Sequence, residues 1–297
     1  MAIVGSLNIN GLINKQDQVI NFMKYNCIDI LLIQEHNIRD INNLSNEFQV
    51  FCHISLNPAI SSRGGTAILI SRKLPFLIVS EEKSADSRIL SVRIKLYDQI
   101  LHFVNVYAHS GNKKSAERED LFTNELIYYL RNSLQNTYIG GDFNCVLSER
   151  DTTSDNIVIS KALLNTVRTL QLKDVWFVKH KHVEYTYVRN NYGSRIDRAY
   201  VKDLSNFVTN VKLVHVNFSD HSCLLSEFNL PDIPKVGKYY WKMNVSLLDD
   251  VEIKERFKEE WERMCLNKSR FNNLNEWWDL YVKKKIKSFF LLMKVNC

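Results

Sequence analysis

Six short segments of the chain break off an apolar run in a carboxylate, an amide or an imidazole. Four of them are Ile30-Leu31-Leu32-Ile33-Gln34-Glu35-His36, Tyr138-Ile139-Gly140-Gly141-Asp142-Phe143-Asn144, Arg195-Ile196-Asp197-Arg198 and Phe218-Ser219-Asp220-His221-Ser222. A fifth, Leu7-Asn8-Ile9-Asn10-Gly11, ends in amides, and a sixth is Asn105-Val106-Tyr107-Ala108-His109. If these ends meet at one rim, four carboxylates share a cleft and repel one another. A divalent cation resolves that conflict. Oxygen donors without thiolates favour a hard ion, Mg²⁺ or Mn²⁺. Mg²⁺ keeps several waters, so some of the acids stay available for proton transfer or for orienting a histidine. Phosphodiester hydrolysis suits such a set, because it needs a positioned water, a charge to offset the phosphate and relief for the leaving oxygen.

Taken singly, each residue has a plainer reading. A lone Asp at a strand end is usually a turn former. Gly140-Gly141 reads as a tight strand exit, and Tyr107 as a half-buried core aromatic. His36, His53, His102, His180, His182 and His215 read as surface or packing residues. The chemistry therefore rests on the set and on its order.

The runs that must position these groups are rich in Val, Ile, Leu, Phe and Tyr. Strands are expected over Ile3–Asn8, Ile28–Gln34, Thr66–Ile70, Ser87–Ile94, Leu101–Tyr107, Thr137–Gly141, Tyr185–Arg189, Ile196–Val201, Val211–Val216 and Ser222–Phe228. Three- and four-residue apolar spacing predicts helices over Lys15–Tyr25, Ala116–Asn132 and Lys161–Gln171. About ten strands and few helices imply two sheets packed face to face with helices outside. Pro231-Asp232-Ile233-Pro234 breaks the pattern. Beyond it a charged helix is expected from a cap at Ser246 and Asp249 to about Cys265, and a second from Asn275 to about Lys294. Trp277, Trp278, Phe289 and Phe290 of that tail are expected to be left exposed.

The bulk numbers restrict the class. With 297 residues, 45% hydrophobic and 24% charged, the chain has a globular balance. No apolar run approaches the roughly 18 residues of a membrane span, so no membrane partner is expected. Met1 leads straight into Ala2-Ile3-Val4-Gly5, which does not read as a cleaved secretory signal. The cysteines, Cys27, Cys52, Cys145, Cys223, Cys265 and Cys297, are scattered and match no zinc spacing. They fit free thiols in a reducing, intracellular compartment. Net charge is +6, and residues Lys235 to Cys297 hold fourteen Lys/Arg against nine Asp/Glu.

The six segments, in this order over residues 1–230, resemble the endonuclease/exonuclease/phosphatase superfamily, which includes apurinic endonucleases and DNase I. The resemblance implies a four-layered α/β sandwich, two packed mixed β-sheets flanked by helices, followed by a C-terminal helical extension over 231–297. It implies Glu35, Asn8 and Asp220 at a Mg²⁺ site (Mn²⁺ substituting), Asp142 on the attacking water, and Asn144 on the phosphate. His221 would offset charge on the pentacovalent phosphate with Asp197 orienting its ring, and Tyr107 would contact the phosphate or leaving oxygen.

Leu7-Asn8-Ile9-Asn10-Gly11-Leu12 and Glu184-Tyr185-Thr186-Tyr187 resemble the LINE-type (non-LTR) retrotransposon branch, as does Tyr240-Trp241-Lys242-Met243-Asn244 with Leu247-Leu248-Asp249, similar to the link toward a reverse transcriptase. This branch implies nicking of double-stranded DNA in the nucleus, with a 3′-hydroxyl left to prime reverse transcription. Element RNA and a reverse transcriptase domain are further implied partners. Thr186, Arg195 and the turn Asn190-Asn191-Tyr192-Gly193-Ser194 would touch DNA. Many relatives carry Pro-Asn after Tyr-Ala; here His109-Ser110 stands there, with Ser110 a partial replacement. The chain ends without the polymerase, which reads as a fragment or a decayed element. An apurinic/apyrimidinic repair endonuclease, a lipid or sugar phosphatase, and a decayed or domesticated DNA-binding module are the alternatives.

Overall fold

The apolar runs become strands covered on both faces. A computed structural model describes residues 1–229 except 62, 98, 132–134, 156 and 158, and residues 249–289 except 272, 284, 287 and 288. Its strands are β1 (Ala2–Asn8), β2 (Ile30–Gln34), β3 (Cys52–Asn57), β4 (Thr66–Ser71), β5 (Phe76–Lys83), β6 (Ile89–Leu96) and β7 (Gln99–Tyr107). They continue as β8 (Thr137–Asp142), β9 (Lys173–Asp174), β10 (Tyr187–Arg189), β11 (Tyr192–Ser194), β12 (Asp197–Lys202), β13 (Val208–Val214) and β14 (Cys223–Phe228). One sheet runs β13-β14-β1-β2-β4-β3, the other β5-β6-β7-β8-β12-β9, and β10-β11 form a separate ribbon.

Each sheet is antiparallel except at its centre, where β1 lies parallel to β2 and β7 parallel to β8. That arrangement builds the rim. Parallel neighbours end at the same edge, and an antiparallel neighbour begins there. Asn8 pairs with Gln34, Tyr107 with Asp142, and Asp142 with Asp197, the first residue of β12.

The two sheets meet through Val4, Ile30, Leu32 and Ile68 on one side and Leu90, Val92, Phe103 and Tyr138 on the other. The alternate residues Leu31 and Ile33 face outward beneath Val19, Ile20 and Met23 of α1 (Gln16–Tyr25). The short α2 (Asn46–Phe51), capped by Ser45, adds Phe48 to that layer. On the second sheet's outer face, α3 (Ser115–Asp120) passes through a π-turn at Leu121–Glu125 into α4 (Leu126–Leu130). Leu121, Phe122, Leu126 and Leu130 cover Val104, Val106 and Ile139 there, beside α5 (Lys161–Thr169) and its Leu163. The fold is thus the four-layered α/β sandwich, and burial on both faces explains why the central strands show no polar alternation.

Polar side chains also bridge the sheets. Gln34 Nε2 donates to Asn105 Oδ1 at 2.7 Å and to Ser6 Oγ at 3.2 Å. Asn105 Nδ2 in turn donates to the Ile33 and Ala67 carbonyls, both at 2.8 Å.

Strands β3, β5, β9 and β11 and helices α2 and α6 (Val175–Lys179) go beyond the sequence expectation, β11 lying in the segment read as a turn. β3, β5 and β9 are edge strands or very short, and β5 exposes Leu77, Ile78 and Val79 in succession, so neither carries a clean period of two.

Chain contacts separate Met1–Ile233 from a second unit, Pro234–Cys297. In the second unit α7 (Val251–Leu266) starts from Asp250, whose side chain accepts from the Glu252 and Ile253 amides. The cap is therefore one residue past Asp249; Ser246, the Tyr240–Asn244 segment, Leu247, Leu248 and Phe290 lie outside the described residues. Trp277 is buried with Met264 and Val282, and its indole donates to the Met264 carbonyl at 3.0 Å. The expectation of an exposed Trp277 fails, because α7 supplies the apolar cover; Trp278 does stay exposed. Among the described residues no helix is long and apolar enough to cross a membrane.

Candidate active site

The strand ends turn sharply so that their side chains point into the rim. Asn10, Glu35, Asn37 and Asn144 all take positive φ, between 48° and 60°. Asn tolerates this region; for Glu35 it costs about 1 kcal/mol or more, and such strain collects at functional positions. Gly141 lets β8 approach β7. A Cβ there would lie 1.9 Å from the Val106 carbonyl oxygen, so no side chain fits.

Two linked groups result. In the first, Asn8 Nδ2 donates to Asp142 Oδ2 at 2.9 Å and lies 3.4 Å from Glu35 Oε2. The Tyr107 hydroxyl donates to the same Glu35 oxygen at 2.9 Å. Asn144 fixes Asp142 from the other side, its backbone N–H donating to Oδ1 at 2.9 Å. In the second, His221 Nδ1 pairs with Asp197 Oδ2 at 2.8 Å. Ligand atoms of Asp142, Asp197 and His221 all lie within 4.8 Å of one another.

Burial sets the protonation states. Asp142 is pushed up to about 7, first by desolvation and then by the Asp197 charge, with His221 and Asn8 opposing. Desolvation alone would lower His221, but the Asp197 carboxylate beside it outweighs this and raises the imidazole to about 9. Tyr107 is raised by burial and by Glu35 and Asp142, so it stays a neutral phenol and a donor.

The donor set fits a hard cation. Asp197 Oδ1 is a buried carboxylate oxygen with no hydrogen-bond partner among the described residues. Glu35 and Asp142 both accept from the Asn8 amide, which gathers two carboxylates around one neutral side chain. Glu35 and Asn8, with Asp220 at the exposed margin, are the residues that would hold Mg²⁺, which leaves Asp142 for the attacking water.

Two residues sit elsewhere than the sequence suggests. Thr186 is buried, and its hydroxyl donates to Asp197 Oδ2 at 2.6 Å, so it positions the Asp–His pair and has no surface for DNA. Arg195 is also buried: its guanidinium pairs with Asp174 at 2.6 Å and lies on the Phe177 ring at 4.8 Å. Helix α6, capped by Asp174, closes over Arg195, and that cover is not legible in a tetrapeptide. Asp220 is exposed beside the buried cluster, where its charge reaches Lys15 and His221. Ser110 is exposed on the loop after β7.

Lys15 and Ser219 escaped the sequence reading. Lys15 Nζ holds the Asn8–Asn10 turn through the Ile9 and Asn10 carbonyls, at 2.6 and 2.9 Å. Ser219 Oγ donates to the Asn8 carbonyl at 2.6 Å and accepts from the His221 amide at 3.1 Å, which ties the two strand ends together. Ser219 at least stands beside Asp220-His221; nothing local marks Lys15. Because the shortest bond of the Thr186 hydroxyl is the one to Asp197 Oδ2, Thr186→Val is expected to lower turnover about tenfold with little change in KM. An unchanged kcat in steady-state cleavage kinetics would remove that role.

Known proteins resemble this chain in sequence or in fold. The chain is 28% identical over 294 residues to a Xenopus laevis protein described as the transposon TX1 uncharacterized 149 kDa protein; the match covers 93% of this chain and 22% of that protein. In fold it is similar to an AP endonuclease from Archaeoglobus fulgidus, with a TM-score of 0.64 at 16% identity over 77% of this chain and 100% of the other. It is also similar to the endonuclease domain of TRAS1, a telomere-specific non-LTR retrotransposon, with a TM-score of 0.57 at 15% identity over 78% and 100%. The family model described as Endonuclease/Exonuclease/phosphatase matches residues 5–221, a span that starts in β1 and ends on the histidine paired with Asp197, and the chain belongs to that family of metal-dependent phosphodiesterases and nucleases.

Proposed function

We propose that residues 1–230 are a Mg²⁺-dependent endonuclease that nicks double-stranded DNA and leaves a 3′-hydroxyl, as part of a non-LTR retrotransposon protein. Residues 231–297 are proposed as its basic helical appendage, leading toward a reverse transcriptase. The observation that carries the reading is the meeting of Asn8, Glu35, Tyr107, Asp142 and the Asp197–His221 pair from two different sheets. The likeness to the transposon TX1 protein and to the TRAS1 endonuclease supports the retrotransposon branch.

The division of labour follows from the protonation states. His221, protonated near neutral pH, keeps Nδ1 on Asp197 and offers Nε2–H to a phosphate oxygen. Asp142 aligns the attacking water and takes its proton, held in place by Asn8 and Asn144. Tyr107 and Asn144 contribute hydrogen bonds to the phosphodiester. A bound Mg²⁺ would supply Lewis-acid polarisation and charge neutralisation at the Glu35 side.

Against the abasic-repair alternative, Phe218 packs edge-on against Phe22 of α1 at 6.0 Å and is committed to the core beneath the helix.

The intact chain with Mg²⁺ is expected to convert supercoiled plasmid to open circles, with none formed in EDTA. A DNA polymerase should extend the nicks without end repair. Cleavage that persists in EDTA would reject the reading, and blocked 3′ ends would reject its priming role.

A further inference from the structure

One stretch of chain touches both members of the Asp197–His221 pair. Thr186, which is buried, gives its hydroxyl to Asp197 Oδ2 at 2.6 Å. Its neighbour Tyr187, the first residue of β10, stands opposite His221 in a backbone bridge. The Ser222 amide donates to the Thr186 carbonyl at 2.8 Å and continues that contact. The half-buried Tyr187 ring lies against the His221 ring, with centroids 4.8 Å apart and planes inclined at 44°. That separation is direct aromatic contact.

Geometry says what this contact adds. The 2.8 Å bond between His221 Nδ1 and Asp197 Oδ2 fixes one corner of the imidazole. It leaves the ring free to rock about the line of the bond, and rocking carries Nε2 sideways. A hydrogen bond weakens steeply once its N–H leaves the line to the acceptor. An aromatic ring against one face of the imidazole opposes that rocking.

The mount of the Tyr187 ring is tied down at its base. Tyr187 pairs with Ser194 across the β10–β11 ribbon. Two three-residue strands are marginal by themselves, so the ribbon needs outside support. The Gly193 amide donates to Thr153 Oγ1 at 2.8 Å, and the Gly193 carbonyl accepts from the Thr153 amide at 2.9 Å. Ser194 Oγ meets Thr152 Oγ1 at 2.8 Å. The Tyr185 ring packs so closely on Gly193 that a Cβ there would lie 2.5 Å from it. The far part of the ribbon is open, with Val188 and Tyr192 exposed.

We infer that Tyr187 is a positioning residue for the cleavage step: its ring fixes the plane of the His221 imidazole, and the β10–β11 ribbon is the mount that holds the ring there. The inference rests on the nuclease reading and adds a residue to it. Because the ring acts through His221 and not on the DNA, its loss belongs in turnover and leaves substrate affinity alone. The role belongs to the ring and not to the hydroxyl.

The test compares Tyr187→Leu and Tyr187→Phe in the intact chain. In steady-state plasmid nicking with Mg²⁺, Tyr187→Leu should lower kcat about tenfold and keep KM within about twofold. Tyr187→Phe keeps the ring and should stay within about twofold of the parent in both. A second readout needs neither metal nor DNA. The His221 Nδ1 proton, identified in the NMR spectrum by its absence from His221→Ala, should exchange with water about tenfold faster in Tyr187→Leu and at the parent rate in Tyr187→Phe. Parent kcat in Tyr187→Leu overturns the inference, as does parent exchange of that proton. A loss confined to KM overturns it by placing the ring on the DNA, and an equal loss in Tyr187→Phe by placing the role on the hydroxyl. Nicking kept in His221→Ala strikes the nuclease reading and this inference together; nicking lost in His221→Ala and kept in Tyr187→Leu strikes this inference alone.

Discussion

His221→Ala is expected to lower the rate of plasmid nicking roughly a thousandfold, the scale seen when a preorganised donor to a developing charge is removed. The ring is fixed at Nδ1 by Asp197, itself held by Thr186, so its remaining N–H is aimed without reorganisation. The pH profile sharpens the claim. Activity should fall as His221 loses its proton near pH 9. Alanine at 221 should erase the alkaline limb. The same ion pair also stabilises the fold: that contribution is complete below the unfolded imidazole's pKa of about 6.5 and fades as pH rises through about 9. Asp142 gives a pH dependence of the same sign over a lower window, from its unfolded value near 3.8 to about 7. Its raised carboxyl favours the folded state at low pH and opposes it above about 7, so Asp142→Asn should raise the Tm of the metal-free protein at pH 8 while reducing cleavage. Single-turnover relaxation assays between pH 6 and 10 decide the matter. An alkaline limb that survives in His221→Ala would show that another group titrates there.

Gly141→Ala should cost about 4 kcal/mol or more, at the extreme of single substitutions. The new methyl would meet three backbone atoms of Val106, at 1.9, 2.8 and 2.9 Å, and backbone in a central parallel pair has nowhere to retreat. Separating β7 from β8 would also part Tyr107 from Asp142. Gly140→Ala is the control. Its methyl meets the side chains of Tyr138 and Leu32 at 2.9 and 3.1 Å, which can shift. Urea melts of the two variants should differ by at least about 2 kcal/mol. Similar midpoints for both would mean that the parallel pair can open.

What the sequence disclosed follows from where each signal is written. Asp142, Asp197 and His221 each stand where an apolar run stops, and strand register then carries them to one edge, so local pattern and global position agree. Thr186 and Arg195 carry the same kind of local signal, yet they are buried. The cover of Arg195 depends on α6 and on Asp151 and Asp174, which arrive from 21 to 44 residues away along the chain, while Thr186 is closed in by Asp197 and Ser194, and neither set of partners leaves a periodic trace in the sequence. Lys15 illustrates the converse. It works through backbone carbonyls, which every residue has, so nothing in residue type announces its partners. Edge strands β3 and β5 were unreadable for a related reason, since one neighbour and partial exposure impose a weak pattern.

The polar bridge of Gln34 and Asn105 bears on how the nuclease could diversify. Because an amide on β2 is bolted to one on β7, the two sheets are denied the sliding motion that purely greasy layers allow, and the reacting groups inherit their spacing from that bolt. The loops above are then relieved of any duty to hold the chemistry in place. They can change length and charge while the groups at the rim underneath stay in tune.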